Sequence, residues 1–245
     1  ATDVLTGRSS PEANARTRIE DVFAGRELEL NKLNGYLDAA LAGRGQICFV
    51  TGQAGSGKTY LVRHFVERAL EDHPDLVVAA GGSNAQTGVG DPYLPFREAI
   101  GMLTGDVSGK FAREMAPETV HRLRTAFVRS VQVLVEVAPE LIGVFIPIGK
   151  LVGLAGKALA ESTGWMDQLE ALAVQEESTA QAPPPLADQS RIFEKVTAFV
   201  QELSAEMPLV LFLDDLQWAD AASIGLLFHL ARRIEDHRVL IVGAY

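Results

Sequence analysis

Residues 52–59 of the chain read GQAGSGKT, which places three glycines and a lysine within eight positions. Glycine loses more backbone freedom on folding than other residues, so it is best justified where backbone bends sharply or approaches a ligand closely. The segment follows the apolar run Ile47-Cys48-Phe49-Val50 and precedes a helical pattern that opens on Lys58. A glycine-rich turn between a strand and a helix, closed by a lysine, indicates a site for a negatively charged group.

The same eight residues match the phosphate-binding pattern G-x-x-x-x-G-K-[ST] in the strand-turn-helix context that the pattern requires. Backbone N–H groups from Gly55 to Lys58 can surround a β-phosphate, Lys58 adds a cation for the β- and γ-phosphates, and the Thr59 hydroxyl can ligate Mg²⁺. The alternative is a glycine-rich turn without a ligand. We expect a nucleoside triphosphate to contact Gly52, Gln53, Ala54, Gly55, Ser56, Gly57, Lys58, Thr59 and Tyr60.

Two adjacent carboxylates, Asp214 and Asp215, follow the apolar run LVLFL at 209–213. Asp214 is expected to end a buried strand adjacent to the strand that precedes the glycine-rich loop, where its carboxylate can hold Mg²⁺ together with Thr59. Asp215 is the candidate for polarising the attacking water, with Lys58 as the second catalytic residue. The alternative is a solvated turn that caps the next helix. Because aspartate is shorter than glutamate, we expect any hydrolysis to be slow.

Alternating apolar strands and amphipathic helices predict an α/β fold, with a parallel sheet covered by helices on both faces. The predicted strands lie at 46–51, about 75–80, 207–215 and 238–245, and the flanking helices at 26–42, 57–72, 189–206 and 221–235. Between the second and third strands, residues 94–175 predict a large helical insertion. We expect Asp220 to cap the helix that follows it and Trp218 to be a packing anchor.

Within this insertion, residues 141–160 form the most apolar stretch of the chain. Its longest uncharged run, before Lys150, is nine residues, whereas about 20 are needed to span a bilayer. We therefore expect a buried helical hairpin, and the alternative is an apolar patch for a partner. Residues 176–187 contain three prolines and predict a linker.

Composition restricts the classes of function. The net charge of −10 repels polyanions, which argues against a broad nucleic-acid surface. The single Cys48 excludes an internal disulfide, fits a reducing compartment and is expected to be a core residue. Residues 1–20 are expected to be a flexible arm without a secretion signal. We expect a cytoplasmic protein without membrane contact, and nucleic-acid binding is not indicated within this chain.

The segments FAGRELELNKL (23–33), GQAGSGKT, NAQTGVGDPYLPFREA (84–99) and LDDLQWAD (213–220) together resemble the ATPase module of the STAND class. These signal-transduction P-loop ATPases often precede tetratricopeptide repeats in bacterial regulators. The resemblance covers about residues 20–245 and implies one ATPase domain at 21–245 that uses ATP, ADP and Mg²⁺.

The resemblance also implies roles for individual residues outside the two phosphate motifs. Gly25, Arg26 and Glu27 would lie near the adenine or its sugar, although Arg26 and Glu27 are also ordinary charges at the start of a helix. Asn84 and Gln86 would be candidates for sensing the γ-phosphate, although turn residues need no such role.

The related ATPases have five core strands in the order 5-1-4-3-2, whereas four strand patterns are recognisable here. We therefore expect a chain truncated before its last core strand, with the apolar edge of the first strand exposed. The expected function is a slowly hydrolysing ATPase switch whose nucleotide state controls conformation, self-association or contacts with other domains. The alternatives are a nucleotide-binding structural module without turnover, a DNA-loading ATPase and, less favoured, a small-molecule kinase.

Overall fold

Four parallel strands form the centre of the protein. A computed structural model describes residues 25–85, 91–107, 110–113, 117–147, 149, 151 and 189–245. Within them the strands are β1 (Gln46–Val50), β2 (Val77–Gly82), β3 (Leu209–Asp214) and β4 (Val239–Ala244). They lie in the order β1-β4-β3-β2, and each neighbouring pair is parallel. The predicted α/β fold is confirmed, and the order agrees with the 1-4-3-2 arrangement of the related ATPases. The expectation that the strand of Asp214 is adjacent to β1 is wrong, because β4 pairs with both and lies between them.

Helices cover both faces of this sheet. The side chains of successive strand residues point to opposite faces, and every residue of β4 and the first five of β3 are buried. The helices are α1 (Glu27–Leu41), α2 (Lys58–Asp72), α3 (Leu94–Leu103), α4 (Lys110–Arg113), α5 (Pro117–Val137), α6 (Gln189–Glu206) and α7 (Ala221–Ala231). Helix α1 packs on β1, β4 and α2, whereas α3 packs on β2 and β3.

Most predicted boundaries agree with the structure to within a residue or two, and two of them need correction. The second strand lies at Val77–Gly82 and not at 75–80. The last helix ends at Ala231 and not at 235. The predicted insertion is helical at α3, α4 and α5, but residues 152–188, including the linker at 176–187, lie outside the described residues, as does the predicted arm at 1–20.

The expectation of a helical hairpin at 141–160 is wrong for its first residues. A short 3₁₀ helix at Pro139–Leu141 is followed by a tight turn, in which Ile142 and Ile146 form an isolated bridge. Gly143 reverses the chain with a φ of 83°, a conformation that glycine adopts without steric strain. The expected burial is present, because Leu141, Ile142, Phe145 and Ile146 are all in the core.

Two further expectations concern the membrane and the cysteine. In the described part of the chain, no helix is long and apolar enough to cross a membrane. Cys48 is buried in β1, and burial raises the pKa of its thiol to about 12. The thiol therefore stays protonated at neutral pH and behaves as a small apolar core residue.

The contact between β2 and α3 depends on a glycine. A Cβ atom at Gly81 would lie 1.9 Å from the Pro95 carbonyl oxygen, whereas one at Gly82 would meet no atom within 4 Å. Since Pro95 O belongs to the backbone, α3 could accommodate a side chain at Gly81 only by moving away from the sheet.

We expect Gly81→Ala to lower the free energy of unfolding by about 2–3 kcal/mol, because an extra methyl in a packed contact forces backbone shifts. Urea unfolding would measure this loss. Gly82→Ala is the matched control, since it adds the same atom one residue away in open space. Equal unfolding free energies for the two variants would contradict this account of the contact.

Candidate functional site

The loop between β1 and α2 has a backbone shape that glycine makes possible. Gly55 and Gly57 have φ angles of 77° and 79°, in the left-handed region that other residues rarely adopt. Gly52 is needed for a different reason, because a Cβ atom there would lie 2.7 Å from the Ser56 hydroxyl oxygen. Gly55 and Gly57 therefore share one geometric role, and Gly52 has another in the same tight loop.

Lys58 folds back over this loop. Its Nζ donates hydrogen bonds to the carbonyl oxygens of Gly52 at 2.9 Å and Gln53 at 3.3 Å. The Ser56 N–H donates to the Gln53 carbonyl oxygen at 3.1 Å. Of the four N–H groups from Gly55 to Lys58 that were expected to surround a phosphate, the one of Ser56 therefore already has an acceptor within the loop. The ammonium group is held by acceptors of the loop itself, which phosphate oxygens can replace.

The predicted pair Thr59 and Asp214 is brought into direct contact. Thr59 lies in the first turn of α2 and Asp214 ends β3, and the Thr59 hydroxyl donates to Asp214 Oδ2 at 2.9 Å. Two oxygen ligands at right angles around Mg²⁺, each about 2.1 Å from the ion, would lie about 3 Å apart. The donor set and its spacing therefore fit Mg²⁺. Within the described residues, no group of three or more His, Cys, Asp and Glu could hold a metal by itself.

Asp215 begins a short 3₁₀ helix at Leu216–Trp218 and has a positive φ of 55°. Its side chain is exposed, and its Oδ1 accepts a hydrogen bond from Gln217 Nε2 at 2.8 Å. Its own N–H donates to Asp214 Oδ1 at 2.9 Å. The second carboxylate is thus beside the site but is engaged by a neighbouring amide.

The expectation that Trp218 anchors the packing is wrong, because its side chain is 56% exposed. The 3₁₀ turn directs Leu216 into the core instead, where it packs so tightly that a Cβ atom at Gly243 would lie 2.7 Å from Leu216 Cδ1.

Asp220 caps α7, as predicted. One carboxylate oxygen accepts from the N–H groups of Ala222 at 2.9 Å and Ser223 at 3.1 Å, and the other accepts from the N–H of Tyr93 at 3.2 Å. This carboxylate therefore joins the loop after β3 to the segment that leads into α3.

Arg26, just before α1, lies against the glycine-rich loop. Its guanidinium donates to the carbonyl oxygens of Ser56 and Gly57, with a distance of 3.3 Å to the latter. Gly25 precedes it with a φ of 125°, and Glu27 begins the helix. Arg26 is therefore part of this site, while contacts of Gly25 and Arg26 with adenine or sugar stay a prediction.

The remaining candidates are placed less directly. Tyr60 follows Thr59 in α2 and is 43% exposed. Asn84 is exposed after β2, and Gln86 lies outside the described residues.

Sequence reasoning missed Ser83 and Glu98. The Ser83 N–H donates to the Asp214 carbonyl oxygen at 3.1 Å, and its hydroxyl is buried without a hydrogen-bond partner in the described part of the chain. Glu98 Oε2 accepts from the Gly82 N–H at 2.9 Å. The predicted second strand ended at about residue 80, two residues before its observed end, so Ser83 was not recognised as the residue that follows the strand. The cue that could have found it is the polar residue that follows two glycines at the end of a buried run.

A parallel α/β sheet, a glycine-rich loop after its first strand and an aspartate at the end of an inner strand define a P-loop NTPase. A profile of the AAA ATPase domain matches residues 22–242. The chain belongs to this family, so it is a nucleotide-binding ATPase domain. No similarity to a curated protein was found.

Proposed function

We propose that this domain is a Mg²⁺-dependent ATPase switch with slow turnover, whose nucleotide state controls its conformation or assembly. The observation that carries the proposal is the 2.9 Å contact between the Thr59 hydroxyl and the Asp214 carboxylate beside the loop that Lys58 closes. A triphosphate requires an anion-binding loop and a place for its cation, and this contact supports a cation site beside the loop.

The proposed phosphate contacts come from the loop and the first turn of α2. The amide groups at the start of a helix have no partners within that helix and carry its positive dipole end. Lys58 would exchange the carbonyl oxygens of Gly52 and Gln53 for oxygens of the β- and γ-phosphates. The exchange replaces bonds from the ammonium to neutral carbonyl oxygens by bonds in which donor and acceptor carry opposite charges, which favours phosphate.

Thr59 and Asp214 are the residues proposed to hold Mg²⁺. The ion, when bound, would neutralise charge that develops on the phosphate oxygens during transfer. One hydroxyl and one carboxylate suit Mg²⁺, because this ion keeps several water or phosphate ligands and binds few protein groups.

Asp215 is proposed to polarise the attacking water. Its carboxylate must first leave the amide of Gln217, with which it forms a 2.8 Å hydrogen bond. We infer slow turnover from this engagement and from the short aspartate side chain. The same hydrogen bond also favours the second candidate function, a domain that retains nucleotide without turnover.

The switch function is supported by the resemblance to the STAND class, in which nucleotide state controls assembly. Bound triphosphate would stabilise one conformation, and hydrolysis would remove the phosphate contacts that favour this conformation over the other. Self-association or contact with other protein domains is the proposed output. A cytoplasmic location belongs to this proposal and is supported by the lone, protonated thiol of Cys48.

We expect Lys58→Ala to weaken Mg·ATP binding at least tenfold, since it removes the cation that closes the loop and a charge-assisted bond is worth about 1.5–3 kcal/mol. Isothermal titration calorimetry would measure the affinity. Arg44→Ala is the control, because Arg44 is an exposed cation that precedes β1, at the opposite end of the strand from the loop. Unchanged affinity for Lys58→Ala would contradict the assignment of the loop.

We expect Asp214→Asn to abolish the gain in ATP affinity that Mg²⁺ gives the wild-type chain, because the amide preserves shape but loses the negative charge. Binding would be compared in Mg²⁺ and in EDTA. ADP binding in EDTA should stay within about twofold of the wild type, since the loop itself is unchanged. The same Mg²⁺ gain in both proteins would exclude Asp214 as a metal ligand.

Phosphate release separates the switch from the module without turnover. We expect slow but measurable release from the wild-type chain and a loss of about tenfold or more in Asp215→Asn, since general-base assistance contributes 10²–10⁴-fold in typical enzymes. Gln217→Ala frees the carboxylate and should not reduce the rate. Equal, near-zero rates in wild type and Asp215→Asn would favour the module without turnover.

A further inference from the structure

The Arg26 side chain forms hydrogen bonds with two consecutive peptide groups of the glycine-rich loop. Its guanidinium donates to the carbonyl oxygens of Ser56 and of Gly57. These carbonyls belong to the peptide bonds that carry the N–H groups of Gly57 and Lys58. The arginine lies just before α1 and is 30 positions from Ser56 in the chain, so this contact is tertiary.

The geometry of a peptide determines what this contact does. The C=O and N–H of a planar trans peptide point in opposite directions, and none of the described peptide bonds is cis. When Arg26 holds the carbonyls of Ser56 and Gly57 on one side of the loop, the N–H groups of Gly57 and Lys58 are directed to the other side. These are two of the amides proposed to face the β-phosphate.

Glycine makes such a restraint necessary. Gly55 and Gly57 have φ angles of 77° and 79°, and glycine reaches either sign of φ at little steric cost. A peptide between such residues can rotate and present its carbonyl to a phosphate, where it would repel the anion. The Gly57 carbonyl oxygen also accepts a hydrogen bond from the Leu61 N–H at 2.9 Å, as part of the first turn of α2.

We propose that Arg26 is a positioning residue for nucleotide binding, which holds two loop peptides so that their N–H groups face the phosphates. This inference rests on the proposed function of the loop. Arginine suits the role because its planar fork can serve two acceptors at fixed spacing, whereas the lysine ammonium is a single point of charge. The energy of orienting the amides is then supplied by folding and not by the ligand.

The test compares Arg26→Met with a matched arginine elsewhere. Arg238 donates to the carbonyl oxygens of Ser204 and Ala205, which are also consecutive but lie at the end of α6, before the amino ends of β3 and β4. Arg238→Met therefore removes the same kind of contact far from the loop. Affinity for Mg·ATP and for ADP would be measured by calorimetry, with kcat and KM from phosphate release.

We expect Arg26→Met to weaken binding of both nucleotides about tenfold, with kcat at saturating ATP within about twofold, because the oriented amides contact ground and transition states alike. Arg26→Lys should restore part of the affinity, and Arg238→Met should bind as the wild type does. NMR order parameters without nucleotide give an independent readout, and those of the Gly57 and Lys58 amides should be lower in Arg26→Met than in the wild type.

Wild-type affinity in Arg26→Met, or an equal loss in Arg238→Met, would overturn the positioning role alone. A wild-type chain that binds no nucleotide would overturn the proposed function, and this inference with it.

Discussion

The hydrogen bond between Thr59 and Asp214 is the contact on which the rest of the site depends. It joins residues that are 155 positions apart in the chain, and it requires α2 to begin beside the carboxyl end of β3. That arrangement exists because β4 lies between β1 and β3 in the sheet, so that the loop after β1 reaches across one strand. Parallel strands with both faces buried supply a rigid frame for this crossing.

The phosphate-binding loop and the sheet could be predicted from the sequence because both depend on local patterns. Three glycines at fixed spacing indicate a tight loop, and continuous apolar runs indicate strands that are buried on both faces. The pairing of Thr59 with Asp214 was predicted from the two motifs by treating their strands as neighbours, whereas β4 lies between them and the loop must reach across it. In each case, the residue types alone carry the information.

The contacts that escaped prediction depend on the direction of individual side chains. The resemblance implies that Arg26 lies near the nucleotide, but its residue type does not predict the contact with the loop carbonyls, to which the packing of α1 against the sheet brings it. Trp218 is large and apolar, yet the 3₁₀ turn after β3 gives the buried position to Leu216. The turn at Gly143 interrupts an apolar stretch whose composition alone cannot distinguish a helix from a buried turn.

The Asp220 carboxylate has a mechanical consequence for the molecule. One of its oxygens holds the start of α7, and the other holds the backbone of Tyr93, whose ring stacks on Phe145 with centroids 5.6 Å apart. The hydrogen bond from the Tyr93 N–H and the stacking of its ring thereby join the segment after the acidic pair to the helices inserted after β2. A displacement of one of these parts would therefore strain or break the hydrogen bond that joins it to the other.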